Sequence, residues 1–339
     1  MTFLITGGAG FIGANFAELI IEKGHRAVVV DLLTYAGHLE NLETIAKHPN
    51  YKFYKADIRD KKTITEILAS ENVEGVVNFA AESHVDRSIE NPNVFIETNV
   101  LGVANMLTCS LGHYEKLEPS RKEKFRYVQV STDEVYGSLG DTGFFTEDTA
   151  FAPNSPYSAS KAAGDHLTRA WFHTYKLPTI TTNCSNNYGP KQFPEKLIPH
   201  MLNCALQEKA LPVYGNGKNI RDWIYVGDHC RGILRAIEKG TPGETYCFGG
   251  SSERDNLTVV KSICAILDKK VPRKGGAKYE PLIKFVEDRK GHDWRYAIDD
   301  SKATKTLGFE RQFKNFEAGL EATIGWYLDN KKWMSEVLK

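Results

Sequence analysis

Two carboxyls stand side by side in Ser131-Thr132-Asp133-Glu134-Val135-Tyr136-Gly137, directly after the apolar stretch Tyr127-Val128-Gln129-Val130. Adjacent carboxyls at the end of a buried strand suit acid–base work. Burial and mutual repulsion keep one protonated as the acid while the other acts as base. A lone Asp-Glu after a strand is ordinarily a solvated turn, so this pair gains meaning only from its company. Further on, Tyr157-Ser158-Ala159-Ser160-Lys161 places a phenol and an ammonium four residues apart. Four residues is one helical turn, so both face the same way. An ammonium beside a phenol favours the phenolate and is expected to lower the Tyr157 pKa toward neutrality. Tyr157 is then a base for a substrate hydroxyl.

A third group lies at the N-terminus. Thr6-Gly7-Gly8-Ala9-Gly10-Phe11-Ile12-Gly13 joins an apolar strand to a helical pattern. It fits GxGxxG through Gly8, Gly10 and Gly13, and GxxGxxG through Gly7, Gly10 and Gly13. Glycine permits the tight turn and lets backbone approach a pyrophosphate, and the helix start offers unpaired N–H groups. Asp31 ends the next strand, eighteen residues past Gly13, close to the usual spacing of about 20. An Asp there accepts hydrogen bonds from adenosine ribose hydroxyls and repels a 2′-phosphate. No Arg follows within Leu32-Leu33-Thr34-Tyr35, so the expected cofactor is NAD. Lys161 can also hold its nicotinamide ribose. Asp57-Ile58, after the third strand, is expected over the adenine, although Asp57 alone reads equally well as a helix cap.

The elements that must position these groups follow from periodicity. Apolar, β-branched runs over 2–6, 26–31, 51–55, 75–79 and 125–131 predict strands. Helical patterns over 11–23, about 60–70, 91–112 and 157–175 lie between or after them. Continuous apolar strands separated by helices indicate a parallel sheet covered on both faces, with ligands at the carboxyl ends of its strands. The fold class is α/β: a Rossmann-type doubly wound parallel sheet with a smaller C-terminal substrate-binding lobe. The texture changes after about residue 183, where loops lengthen and Gly, Asn and Pro become common. Helices are expected at about 196–208, 226–238, 257–267 and 315–335. Residues 1–183 form the expected cofactor-binding domain and 184–339 mainly the lobe. The boundary is not clean, because 179–183 reads as another core strand.

Composition narrows the function classes. Of 339 residues, 41% are hydrophobic and 25% charged, which excludes disordered, collagen-like and coiled-coil chains. Lys+Arg and Asp+Glu are both 43, so there is no electrostatic footprint for nucleic acid or an anionic membrane. No apolar run approaches the roughly 20 residues of a membrane helix. The N-terminus lacks a basic region and runs straight into the glycine turn, so it reads as the first strand of the fold. The six cysteines form no CxxC pair and read as small buried thiols in a reducing cytoplasm. The ten histidines show no zinc-ligand spacing, so no catalytic metal is expected.

Together these features resemble the extended short-chain dehydrogenase/reductase superfamily. More narrowly, the chain is similar to its 4,6-dehydratases of dTDP-glucose, which serve dTDP-rhamnose biosynthesis. The likeness runs through Asp31-Leu32-Leu33-Thr34-Tyr35-Ala36-Gly37, Ala80-Ala81-Glu82-Ser83-His84-Val85-Asp86-Arg87-Ser88 and the Thr132-Asp133-Glu134 run. It continues in Asn183-Cys184-Ser185-Asn186-Asn187-Tyr188-Gly189-Pro190, Glu195-Lys196-Leu197-Ile198-Pro199 and Asn219-Ile220-Arg221-Asp222-Trp223. It closes over 288–299. Related 4-epimerases keep the Tyr-Lys pair but lack the two carboxyls, whereas related decarboxylases and GDP-mannose dehydratases resemble Ser-Thr-Ser-Glu.

The resemblance implies a redox-neutral dehydration. Tyr157 takes the 4-hydroxyl proton as hydride leaves carbon 4 for NAD, and Thr132 hydrogen-bonds that hydroxyl. Glu134 removes the carbon 5 proton, Asp133 protonates the departing 6-hydroxyl, and the hydride returns to carbon 6. It also implies NAD contacts at Gly7, Gly10, Phe11, Ile12, Gly13, Asp31, Leu32, Leu33, Thr34, Asp57, Ile58, Ala80, Ala81, Thr98, Tyr157, Lys161 and Asn187. The nucleotide sugar is expected at Ser83, Thr132, Asn186, Lys196, Leu197, Pro212, Val213, Tyr214, Arg221, Asn256, Arg289 and His292. Arg221 and Arg289 suit a diphosphate, since a guanidinium matches phosphate oxygens bidentately. Asn256 also reads as a helix cap. A homodimer through helices 91–112 and 157–175 is expected by analogy. One rival reading is the same reaction on UDP-glucose, because one methyl group is worth only about 1–3 kcal/mol of discrimination. Another is a non-catalytic NAD-sensing module, which has no reason to carry acid, base and Tyr-Lys pair together.

Overall fold

Short β-branched runs become strands where both faces are covered. The computed structural model describes residues 1–288 and 291–339. The strands are β1 (Thr2–Thr6), β2 (Arg26–Asp31), β3 (Tyr51–Lys55), β4 (Gly75–Asn78), β5 (Arg126–Thr132), β6 (Thr179–Cys184), β7 (Asn186–Tyr188), β8 (Leu211–Tyr214), β9 (Ile220–Tyr225), β10 (Thr245–Phe248), β11 (Glu253–Asp255) and β12 (Ile283–Val286). Seven of them form one sheet in the order β3-β2-β1-β4-β5-β6-β10. Every pairing in it is parallel, with Ile5 opposite Val29 on one side and Val77 on the other. The order reverses between β1 and β4, so the connections leaving their carboxyl ends diverge and open a crevice.

The helices are α1 (Phe11–Glu22), α2 (Lys61–Ser70), α3 (Val85–Glu90), α4 (Pro92–Ile96), α5 (Val103–Tyr114), α6 (Pro119–Lys124), α7 (Pro156–Tyr175), α8 (Leu197–Leu206), α9 (Val226–Lys239), α10 (Asn256–Lys270), α11 (Ser301–Leu307), α12 (Phe316–Asp329) and α13 (Lys331–Val337). Successive strand residues point to opposite faces. Ile5, Val29 and Val128 therefore pack with Phe16 of α1, Ile233 of α9 and Leu307 of α11. Leu4, Val28 and Tyr127 pack with Ile64 and Leu68 of α2 and Met106 and Leu107 of α5. A separate core gathers Met201 and Leu202 of α8, Val260 and Ile263 of α10, Leu320 and Ile324 of α12 and Trp333 of α13. This is the lobe. The sheet takes its seventh strand and two covering helices from beyond residue 184, so the chain crosses back over the expected division.

Three expectations change. The helix expected over 91–112 is a 23-residue helical run, Pro92–Tyr114, with a π-helical segment at Glu97–Gly102. An 18-residue window within it has a mean hydropathy of 1.4, so by length and composition alone it could cross a bilayer, contrary to the sequence reading. Asn93, Glu97, Asn99 and Asn105 had interrupted the apolar run and hidden its length. In this fold the run packs on α2 and α7. The helix expected over 315–335 is broken at Asn330 into α12 and α13. The short helices α3, α6 and α11 had not been expected.

Candidate active site

The crevice above β1 and β4 is a cavity of about 410 Å³. Its floor is the glycine turn. Gly7 has φ of 63°, and a Cβ there would come within 2.6 Å of the Ala80 nitrogen. A Cβ on Gly13 would press on Gly8 Cα at 2.8 Å. Gly10 differs, because its Cβ would meet only the Gly7 oxygen, at 3.2 Å. Its glycine keeps the floor open. Gly10 caps α1 without any side-chain hydrogen bond, and Phe11 and Ile12 line the cavity at the helix start. Across from them Asp31 accepts from the Ala9 and Leu33 amides at 2.9 and 2.8 Å. Burial raises its pKa and those amides oppose the rise. A glycine floor at the N-terminus of α1, with a carboxylate at the end of the neighbouring strand β2, fits a dinucleotide.

Leu32, Thr34, Asp57, Ile58, Ala80, Ala81, Thr98 and Asn187 line the same cavity. Leu33 does not; it takes φ of 58° and turns its amide back to Asp31. Asp57 pairs with Arg59 at 2.7 Å, and α2 is capped instead by Asp60, which accepts from the Thr63 amide. The helix-cap reading of Asp57 therefore falls.

The reactive end is built where β5 meets α7. Thr132 ends β5, and its hydroxyl accepts from the Glu134 amide at 3.3 Å, capping the tight turn Asp133–Tyr136. Asp133 is only 2% exposed. One oxygen accepts from the Thr132 hydroxyl at 3.3 Å, and the other finds no partner among the described residues. Burial first, then Glu134 and Asp222, push its pKa well above the usual carboxylate range against the pull of Arg221. A carboxyl in that state holds a proton to donate. Glu134, half-buried, lines the cavity beside it.

Ser155 and Ser158 form a capping box at the start of α7, with Pro156 at its first position. That box fixes the turn carrying Tyr157. Burial, and then Glu134, push the Tyr157 phenol well up, against a hydrogen bond from Thr132. This corrects the expected fall toward neutrality. Lys161 shares the helix face, but its ammonium donates to the Val130 carbonyl at 2.8 Å. Burial lowers the Lys161 pKa, and Asp165 is the foremost group opposing the fall.

A family model described as GDP-mannose 4,6 dehydratase matches residues 4–323. A curated relative from Xanthomonas campestris pv. campestris, named dTDP-glucose 4,6-dehydratase, is 53% identical over 337 residues, spanning 99% of this chain and 96% of its own. The chain belongs to the dTDP-glucose 4,6-dehydratase family. Two solved structures of that family extend the likeness to three dimensions. The Bacillus anthracis dTDP-glucose 4,6-dehydratase in complex with NAD is 43% identical, with a TM-score of 0.87 and 99% of each chain covered. The Streptomyces venezuelae dTDP-glucose 4,6-dehydratase with NAD and dTDP bound is 41% identical, with a TM-score of 0.90, covering 99% of this chain and 100% of its own.

The dTDP-glucose 4,6-dehydratase likeness also frames the expected sugar-nucleotide residues, which separate into two groups. Ser83, Thr132, Asn186 and Lys196 line the cavity, and Lys196 crosses it to the Ser83 carbonyl at 2.9 Å. Leu197, Pro212, Val213, Tyr214, Arg221, Asn256 and His292 lie outside its lining, on the lobe. Tyr214 and His292 approach edge to face at 6.4 Å, and His292 bonds Asp288 at 2.6 Å. Val213 is buried in the lobe core, so only its backbone is available. The α10 cap is Asp255, not Asn256. Arg221 stacks on Tyr296 at 4.3 Å and donates to the carbonyls of Ile220 and Asp293 at 2.7 and 3.0 Å, beside Asp133. Arg289 lies outside the described residues. Sequence reading missed Tyr35, Cys184, Gln192 and Phe193 in the cavity wall. They come from segments whose meeting no local spacing announces.

Proposed function

We propose that the chain dehydrates dTDP-glucose to dTDP-4-keto-6-deoxyglucose with NAD as its cofactor. The observation that carries this is a buried Asp133, its pKa pushed up by burial, sharing one cavity with Glu134, Tyr157 and the glycine turn at the start of α1. NAD, when bound, supplies a hydride acceptor for carbon 4, a donor for carbon 6 and a positive ring that offsets the burial of the phenol. The turn through Gly7, Gly10, Phe11, Ile12 and Gly13 holds its pyrophosphate, and Asp31, Leu32 and Thr34 its adenosine ribose. Asp57 and Ile58 flank its adenine, while Ala80, Ala81, Thr98, Lys161 and Asn187 complete the wall.

Tyr157 takes the proton of the 4-hydroxyl, which Thr132 orients. The 4-ketone acidifies carbon 5, and Glu134 removes its proton. Asp133 protonates the departing 6-hydroxyl, and water leaves. Glu134 returns its proton to carbon 5 as carbon 6 is reduced, so over one turnover Tyr157 has gained one proton and Asp133 has lost one. Exchange with solvent resets both, and the net products are the keto sugar and water. Ser83, Asn186 and Lys196 approach the sugar from the cavity, while Arg221, Asn256, Tyr214 and His292 offer the lobe's contacts to the nucleotide. The protein works as a homodimer in the cytoplasm. Ile96 and Leu101, 49% and 58% exposed on the long helical run, supply an apolar face for a second copy, and all six cysteines are unpaired thiols.

Glu134→Gln separates this reading from an NAD-sensing module. A dehydratase keeps its NAD and loses elimination by roughly 10²–10⁴-fold. A variant as active as the parent contradicts the assignment of the base.

A further inference from the structure

We propose that Asp165 is a positioning residue for this reaction: one helical turn beyond Lys161, its carboxylate keeps the Lys161 ammonium charged and fixes the end of β5. The inference rests on the role proposed above for Lys161. Tyr157, Lys161 and Asp165 are spaced four apart on α7, which sets them along one face. Asp165 is 4% exposed. Its Oδ2 accepts from the Ser131 hydroxyl at 2.7 Å and from the Asn183 amide at 3.2 Å. The same Asn183 amide donates to the Thr132 carbonyl at 3.0 Å. Lys161 donates to the Val130 carbonyl. Three consecutive residues of β5 are thus held by Lys161, Asp165 and Asn183, and the third of them is Thr132.

Charge gives the second argument. A buried ammonium sheds its proton unless a counter-charge stands by. Asp165 foremost, then Cys184, oppose that loss at Lys161. On the carboxyl itself burial acts first, raising it to about 6, while Lys161, Ser131 and Asn183 hold it down. Tyr136, from the turn after β5, also faces it. Asp165 further lines a second cavity of about 520 Å³, together with Glu147, Asp148, His166, Arg169, His173, Glu244 and Lys302. Lys302 there is paired with Glu244 at 2.8 Å.

The test compares Asp165→Asn and Asp165→Glu with the parent, measuring kcat, KM, NAD content and the pH profile. The Asn variant is expected to retain NAD and to lose at least tenfold in kcat at pH 8, with KM changed less than threefold. The upper edge of its kcat profile should move down by one pH unit or more, and the Glu variant should restore that edge. An Asn variant with the parent's profile overturns the proposal, as does a loss equal at every pH that Glu fails to repair. Should neither variant fold, ¹³C-lysine NMR of the native protein decides, with Lys161 assigned by difference from Lys161→Arg. A Lys161 charged at pH 7 that responds as Asp165 titrates supports the proposal, and a neutral Lys161 overturns it. Lys161→Met distinguishes the two readings. Undiminished kcat there refutes the role of Lys161 and this inference with it. An inactive Lys161→Met beside an unaffected Asp165→Asn refutes this inference alone.

Discussion

Asp133 carries an electrostatic cost that its chemistry requires. Its native pKa is raised by burial, so between the unfolded value of about 3.8 and the native one the folded protein holds a proton the unfolded chain has released. Stability therefore falls as pH rises through that window. Asp133→Asn removes the penalty. Thermal unfolding should show the variant gaining on the parent as pH rises from 4 to 8, while its turnover falls roughly 10²–10⁴-fold. A variant less stable than the parent at pH 8 contradicts this account. The carboxyl pair, the Tyr-Lys spacing and Asp31 were legible in sequence because each is local. The phenol's pKa was not, since its burial and the charge of Glu134 facing it are tertiary facts. Asp165 was silent for the same reason, as its partners Ser131 and Asn183 arrive on two other strands.

Elements set the geometry those residues need. The capping box of Ser155 and Ser158 anchors the first turn of α7, the turn that carries Tyr157. Ser155→Ala should cost about 0.5–2 kcal/mol by denaturant unfolding and lower kcat more than it changes NAD content. Unchanged stability and kcat count against the cap as the anchor. At the other wall, Gly7→Ala places a Cβ against the Ala80 backbone at a positive φ. It should yield protein depleted of NAD, read from absorbance of the denatured supernatant; full NAD content contradicts the described floor. Strand periodicity was readable because every strand of the main sheet except the edge strand β3 is buried along nearly its whole length. Helix breaks were not, because the π-helical segment at Glu97–Gly102 and the stop at Asn330 follow from packing on neighbours.

The whole molecule joins a nucleotide-binding sheet to a lobe through strands that the chain order does not announce. β10 reaches the sheet edge by pairing with β6, and Trp333 of α13 donates to Asn41 at 2.8 Å, tying the chain's last helix to its first quarter. Such long-range closures are invisible to any window of sequence. The exposed Leu101 on the helical face belongs to this scale. Leu101→Glu should shift the protein from dimer to monomer in sedimentation; an unchanged sedimentation coefficient contradicts that face as the interface. The central claim is tested most directly by incubating the purified protein with dTDP-glucose and, in parallel, UDP-glucose, adding no NAD, and following mass. Rapid loss of one water from dTDP-glucose, and far slower loss from UDP-glucose, is the predicted result. Equal or faster turnover of UDP-glucose would contradict the base preference, and no water loss from either, even with NAD supplied, would contradict the dehydratase assignment itself.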